Sequence, residues 1–211
     1  MKIAIFSDVH GNLPAFETML KNAGTVDQYV SLGDVVNYGP WSNECVQLLM
    51  SLKNCIKLKG NAEEYFILNK YTGDNKIAKA FFKVCIENFS EMTAIKSFKK
   101  EWLLDDFTLS HTIDNQYIYP DSKVKLTKNW IVGHSHYQFR LKSNELSLYN
   151  PGSVGLNRKY INVINYLIYD DDKKKIEMKN IPYNVNKIIK EMKARKYPDI
   201  CIKYYVDKNR L

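Results

Sequence analysis

The sequence predicts an α/β fold with parallel central strands, and three observations predict it. Short apolar runs alternate with stretches whose hydrophobic residues recur at helical spacing, in the order strand, helix, strand, helix, strand. Each of these runs stops at a polar, glycine-containing cluster, where a strand gives way to a loop. The composition, 45% hydrophobic and 26% charged, is that of a globular protein. A chain of 211 residues can bury one sizeable core, so a single domain over 1–211 is expected.

The elements follow in order. Residues 2–6 form an apolar run that turns polar at Ser7-Asp8, the pattern of a buried strand. Over 12–23, Leu13, Phe16, Met19 and Leu20 share one helical face. A second strand is expected at 29–32, a helix at 45–52 and a third strand at 54–59. Across 63–100, Ala80, Phe81, Val84 and Cys85 recur at helical spacing, so two or three helices are expected to form a lobe beside the sheet. Short strands are expected at 107–109, 130–132 and 146–149. A hairpin is expected at 161–169 and 175–181, turning at Asp170-Asp171-Asp172, with a helix at 185–194. The tail after Pro198 shows no clear periodicity.

No apolar run approaches the roughly 20 residues that cross a bilayer, and the apolar start is too short for a signal peptide. No membrane association is expected. Cys45, Cys55, Cys85 and Cys201 are scattered, as free thiols of a cytoplasmic protein would be. The net charge of +8 sits largely in lysine-rich stretches at 96–100, 123–128 and 173–175. These suit solvated faces; they would also attract polyanions, nucleic acid or a phosphate substrate among them.

Five polar clusters follow predicted strands: Asp8-Val9-His10-Gly11-Asn12, Gly33-Asp34, Gly60-Asn61, His111 and Gly133-His134-Ser135-His136. In α/β sheets, loops at the carboxyl ends of strands converge, so these clusters are expected to meet. They hold all four histidines of the protein. Carboxylate, amide and imidazole ligands in this mixture suit a pair of divalent transition metals. Residues two apart in an extended segment point the same way, so Asp8 with His10, and His134 with His136, can each grip one ion. Singly, each fragment has an ordinary explanation: a helix cap, a turn dipeptide or a structural histidine. Their joint occurrence is the signal.

On these motifs the chain resembles the calcineurin-like metallophosphoesterases, whose blocks run D-x-H, G-D, G-N-H-[DE], H and G-H-x-H. It is most similar to their small stand-alone bacterial and archaeal members. Ser7 to Ala15, Leu32 to Pro40 and Asn150 to Gly155 carry further similarity. The resemblance implies a β-sandwich flanked by helices, with a small helical lobe at about 63–100 inserted after the third strand. It implies that Asp8, His10 and His136 hold one metal and that Asn61, His111 and His134 hold a second, with Asp34 bridging. It implies catalytic roles for Asp34, His111 and Asn61, and two divalent ions, manganese before zinc, iron, nickel or magnesium. The implied reaction is phosphodiester hydrolysis by hydroxide held between the two ions, with a phosphate-ester small molecule or a nucleotide as substrate.

The chain departs from the pattern at Ala62, where the family has a histidine that contacts phosphate or protonates the leaving group. Alanine does neither, which predicts slow turnover or a preference for good leaving groups. Glu63 keeps the acidic position and also suits a helix N-terminus. Thr112 and Ser135 are milder departures. Asn12 is expected to touch substrate or to cap the following helix. Arg158 is the candidate cationic clamp for phosphate. Tyr38 and Trp41 could stack on a base or pack beneath the Asp34 loop. The 150–155 turn is expected to shape the pocket wall, with its amides available to substrate. The alternatives are a phosphomonoesterase or dinucleoside polyphosphate hydrolase, and a non-catalytic scaffold like the retromer subunit of this fold.

Overall fold

Two five-stranded sheets pack face to face in the computed structural model, which describes residues 1–211. The first sheet begins with β1 (Lys2–Phe6), followed by α1 (Leu13–Ala23), β2 (Gln28–Ser31), α2 (Ser42–Ser51) and β3 (Cys55–Lys57). Three helices come next: α3 (Asn61–Ile67), α4 (Lys76–Glu87) and α5 (Met92–Lys96). The second sheet comprises β4 (Glu101–Leu104), β5 (Phe107–Ser110), β6 (Asn129–Val132), β7 (Gln138–Ser143) and β8 (Leu146–Pro151). The chain then returns to the first sheet through the hairpin of β9 (Val163–Asp170) and β10 (Lys175–Pro182), and closes with α6 (Asn186–Ala194) and α7 (Asp199–Val206).

The strand order is β10-β9-β1-β2-β3 in one sheet and β4-β5-β6-β8-β7 in the other. β1, β2 and β3 run parallel, as do β5, β6 and β8, while the outer partners are antiparallel. The expected parallel centre is present in both sheets. Two strands had no forecast, β4 and β7, and they are the two edges of the second sheet. Helix α7 also forms in the tail that shows no periodicity.

Alternation along β1 explains the layering. Ile3 and Ile5 face the second sheet: together with Val30, Leu32 and Leu167 from their own side they meet Leu109 and Ile131 of the second. Phe6 faces the opposite way, into a larger core against Phe16, Met19, Leu49 and Phe81 from the helices. The Phe6 and Phe16 ring centroids are 5.3 Å apart. Burying a side chain such as Phe16 contributes about 1.5–3 kcal/mol, and its place on the inner face of α1 is what its spacing predicts. α1 starts where Asn12 Oδ1 accepts the Ala15 N–H at 3.3 Å, and it stops at Gly24, whose φ of 65° breaks the helix. A third, small core of Ile118, Leu126, Val132, Phe139 and Leu148 lies on the outer face of the second sheet. No helix is long and apolar enough to cross a membrane.

Both parallel centres deliver the carboxyl ends of their strands to one edge of the sandwich. The loops after β1, β2, β3, β5 and β6 therefore meet there, and they carry the candidate ligands.

Candidate metal centre

The site is built from backbone that ordinary loops avoid. Asp8, His10, Asp34, His134 and His136 all have positive φ, between 50° and 70°. Left-handed backbone at non-glycine residues costs on the order of 1 kcal/mol or more apiece and persists only where the surroundings enforce it. Asp8 with His10, and His134 with His136, converge through these tight turns rather than through the extended segment expected from their spacing. Two glycines make the turns possible. Gly33 sits at φ 106°, and a Cβ on Gly60 would collide with the Asp34 carboxylate.

Each loop is pinned by its neighbours. Asp8 N–H donates to the Gly33 carbonyl and His10 N–H to the Asp34 carbonyl, both at 3.0 Å. The 152–155 turn braces the first loop: Val154 and Gly155 N–H donate to the Ser7 and Asp8 carbonyls at 3.0 Å, and Ser153 Oγ donates to Asp8 O at 2.7 Å. The amides of Val154 and Gly155, expected to be available to substrate, are thus spent on holding the Asp8 loop. Glu63 pins the second loop. Fully buried, it accepts N–H groups from Asp34 (2.8 Å), Val35 (2.7 Å), Val36 (3.3 Å) and Gly60 (2.7 Å). Burial and the Asp34 charge push its carboxyl up to about 7, against the pull of these donors towards the charged form.

The structure brings all seven expected ligands together in two groups. Asp8, His10 and His136 form the first. His10 Nδ1–H donates to the Val36 carbonyl at 3.1 Å, and His136 Nδ1–H to the Leu156 carbonyl at 2.8 Å. A carbonyl only accepts, so each ring carries its proton on Nδ1 and points a bare Nε2 inward. The two Nε2 atoms face each other at 3.2 Å. Asp8 Oδ1, buried and without a hydrogen-bond partner, lies 3.2 Å from His136 Nε2 and 3.7 Å from His10 Nε2. Two lone pairs and an orphaned carboxylate oxygen converging in a buried space make a donor set suited to a cation. Burial holds His10 down to about 4, so a proton on that ring does not supply it near neutral pH, and the donor set fits a divalent metal.

Asp34, His111 and His134 form the second group. His111 Nδ1–H donates to the Leu32 carbonyl at 3.0 Å, and its Nε2 lies 3.2 Å from Asn61 Oδ1 and 3.2 Å from His134 Nδ1. Burial opposes a charge on His111, but the Asp34 carboxylate outweighs it and raises the ring to about 9. Burial and His111 hold His134 down to about 3. Asp34 joins the groups: its Oδ2 is 3.7 Å from His10 Nε2 and 3.4 Å from His111 Nε2, while Oδ1 accepts the Ala62 N–H at 2.7 Å.

The remaining expected residues fall around this centre. Asn12 is fully buried at the N-cap of α1, and its amide donates to Gly155 O and to the Tyr183 hydroxyl, both at 2.9 Å. Those bonds commit it to structure and leave it no donor for a substrate. Arg158 borders the first group through a 3.5 Å bond from its N–H to the His136 carbonyl. Tyr38 packs edge-on to His10, with centroids 4.7 Å apart, and against Phe81, so it lies under the loop. Ala62 is buried in the main core, not at the surface of the site. Tyr117, which no motif marks, lies over His134 with centroids 3.8 Å apart while remaining half exposed. Beside it opens a cavity of about 910 Å³ lined by Asn61, His111, His134, Tyr65, Tyr117 and Trp130.

Comparison with known proteins bears on the family and the fold. The family model described as calcineurin-like phosphoesterase matches residues 1–164. An uncharacterized protein of Methanocaldococcus jannaschii is 32% identical over 93% of this chain and 94% of its own length. A metallophosphoesterase from Sphaerobacter thermophilus superposes with a TM-score of 0.81 at 24% identity, covering 98% of this chain and 99% of its own. A hypothetical protein from Pyrococcus horikoshii superposes with a TM-score of 0.80 at 18% identity, covering 97% of each chain. The fold, the family match and the two facing groups of buried candidate ligands lead to one conclusion: the chain belongs to the calcineurin-like phosphoesterase family.

Proposed function

We propose that the protein is a phosphodiesterase working with two divalent metal ions, manganese in the first instance and zinc, iron, nickel or magnesium as alternatives. The observation that carries this reading is Asp34 Oδ2, one carboxylate oxygen within 4 Å of a histidine Nε2 in each group. Asp8, His10 and His136 would hold one ion, Asn61, His111 and His134 the other, with Asp34 shared. When bound, the ions supply a water acidified to attack phosphorus near neutral pH and positive charge opposite the phosphoryl oxygens.

The chain's own groups do the rest. The backbone carbonyls of Val36, Leu32 and Leu156 keep His10, His111 and His136 in the tautomer that presents Nε2. Glu63 holds the Asp34 backbone by accepting its N–H, and the Ala62 N–H, donated to Asp34 Oδ1 at 2.7 Å, steadies the shared carboxylate. The 910 Å³ cavity on the His111–His134 side gives the substrate access, with Tyr65, Tyr117 and Trp130 along its wall. No side chain at position 62 protonates the leaving group, which favours esters whose leaving groups depart without general-acid help. A scaffold role is the second reading, and Ala62 is the observation that favours it; the complete ligand set argues against it.

Hydrolysis of bis-p-nitrophenyl phosphate by chelator-stripped protein, with and without manganese, tests this proposal. Turnover that appears only with the metal is expected. Absence of turnover with metal bound would remove the phosphodiesterase assignment and favour the scaffold.

A further inference from the structure

The corner between the last two helices reaches the loop beside the Asp8–His10–His136 group. α6 ends in a left-handed turn: Lys196 has φ 54°, its N–H donates to Lys193 O at 3.1 Å, and Tyr197 N–H donates to Met192 O at 2.9 Å. This closure satisfies the last carbonyls of α6 and turns the chain sharply into α7. It also aims two donors at one target. The Arg195 guanidinium donates to Pro40 O, and the buried Tyr197 hydroxyl donates to Gly39 O at 3.4 Å, beside the Cys85 thiol at 3.4 Å. Arg195 also lies over the Trp41 ring, 5.9 Å from its centroid.

The target is a strained turn. Asn37 and Tyr38 are consecutive residues at φ 73° and 61°, and such backbone persists only where its surroundings enforce it. On its inner side the turn presses on the first ligand loop. Trp41 N–H donates to Gly11 O at 3.1 Å, and a Cβ on Gly39 would fall 2.5 Å from His10 O. At the start of the turn, Val36 O accepts the Nδ1 proton of His10 at 3.1 Å, which decides the nitrogen that points inward. Tyr38 packs edge-on to the same ring. His111 and His136 donate instead to Leu32 O and Leu156 O, neither of them in this turn. One strained segment thus touches His10 on one side and the α6–α7 corner on the other.

We propose that Arg195 and Tyr197 are positioning residues for His10. By holding the 36–41 turn they keep the Val36 carbonyl against Nδ1, and with it the inward Nε2 that would bind the first ion. A corner outside residues 1–164, the part that matches the family model, then governs one half of the site and leaves the other alone. The inference rests on the two-metal reading for what Nε2 binds, but the placement of the ring needs neither metal nor turnover.

Nitrogen NMR of chelator-stripped protein carrying labelled histidine, followed by manganese titration, tests this. Only four histidines contribute signals. In wild type, His10 should show one neutral tautomer, with its proton on Nδ1. Arg195→Met combined with Tyr197→Phe should turn His10 into a mixture of tautomers and leave His111 unchanged. The same variant should bind one of its two manganese equivalents about 10- to 100-fold more weakly, as loss of a partner behind a ligand does. Arg195→Lys, whose ammonium can still donate to Pro40 O, should keep both readouts near wild type. Glu191→Gln, which removes only an exposed ion pair of Arg195, should change manganese affinity by less than about twofold. Unchanged His10 signals in the combined variant, or His10 and His111 changing together, would overturn the positioning role. A tautomer change confined to His10 in a protein that binds no manganese would uphold it and remove the two-metal reading.

Discussion

The two halves of the candidate metal centre use the same residue types and are built differently. In the Asp8–His10–His136 half, each imidazole is locked by a backbone carbonyl, and both bare Nε2 atoms face a carboxylate oxygen that has no other partner. In the Asp34–His111–His134 half, His111 Nε2 and His134 Nδ1 lie 3.2 Å apart and can share a proton, and no backbone carbonyl fixes the His134 ring. That half also borders the 910 Å³ cavity beneath half-exposed Tyr117. The difference teaches that the first group is fixed ring by ring from the backbone, while in the second the His134 ring is held only by side chains and borders the cavity.

Removing what the halves share should have the largest effect. Asp34→Ala is expected to lower turnover of bis-p-nitrophenyl phosphate on the order of 10³-fold, the several kcal/mol that a metal-assisted step provides. Its circular dichroism should stay that of wild type, because Asp34 sits at a loop end. Near-normal turnover would show that no carboxylate bridge is needed.

Splitting the halves comes next. His136→Ala and His134→Ala should each reduce bound manganese from two equivalents to one by elemental analysis. The loss should be harder to reverse with excess metal in His136→Ala, whose ring is locked in place. If both variants kept two ions, the halves would not be separate sites. Glu63→Gln should weaken metal binding about 10- to 100-fold, as loss of a supporting partner does. It should also cost about 1–3 kcal/mol of stability, because a neutral amide cannot accept all the buried N–H groups that Glu63 now satisfies. Unchanged melting and metal affinity would exclude Glu63 as the anchor of the Asp34 loop. The smallest effect belongs to Tyr117→Ala. It should shift KM by about 2- to 10-fold, the 0.5–1.5 kcal/mol of an aromatic contact, and leave the metal content at two.

What the sequence disclosed and what it concealed follow one physical division. The five ligand-bearing strand ends were legible because a buried strand and the glycine turn after it are local patterns. β4 and β7 were not, because both are edge strands with a solvated face. In β7, Arg140 and Lys142 interrupt any apolar run, and in β4 Leu103 is exposed. α7 buries Cys201 and Tyr205 yet exposes Ile200 and Val206, so it lacks a clean apolar stripe. The ligand set was visible, but the left-handed turns that aim it were not, since nothing in Asp8-Val9-His10 distinguishes them from an extended segment. Tyr117 above His134 and Tyr204 against Tyr38 are contacts between distant segments, and no spacing encodes them.

The central claim is that two ions act together across Asp34. Titrating manganese into chelator-stripped protein while following bis-p-nitrophenyl phosphate turnover tests it most directly. The account predicts little activity up to one equivalent, filling the Asp8–His10–His136 half, and a steep rise between one and two. Full activity at a single equivalent would contradict it.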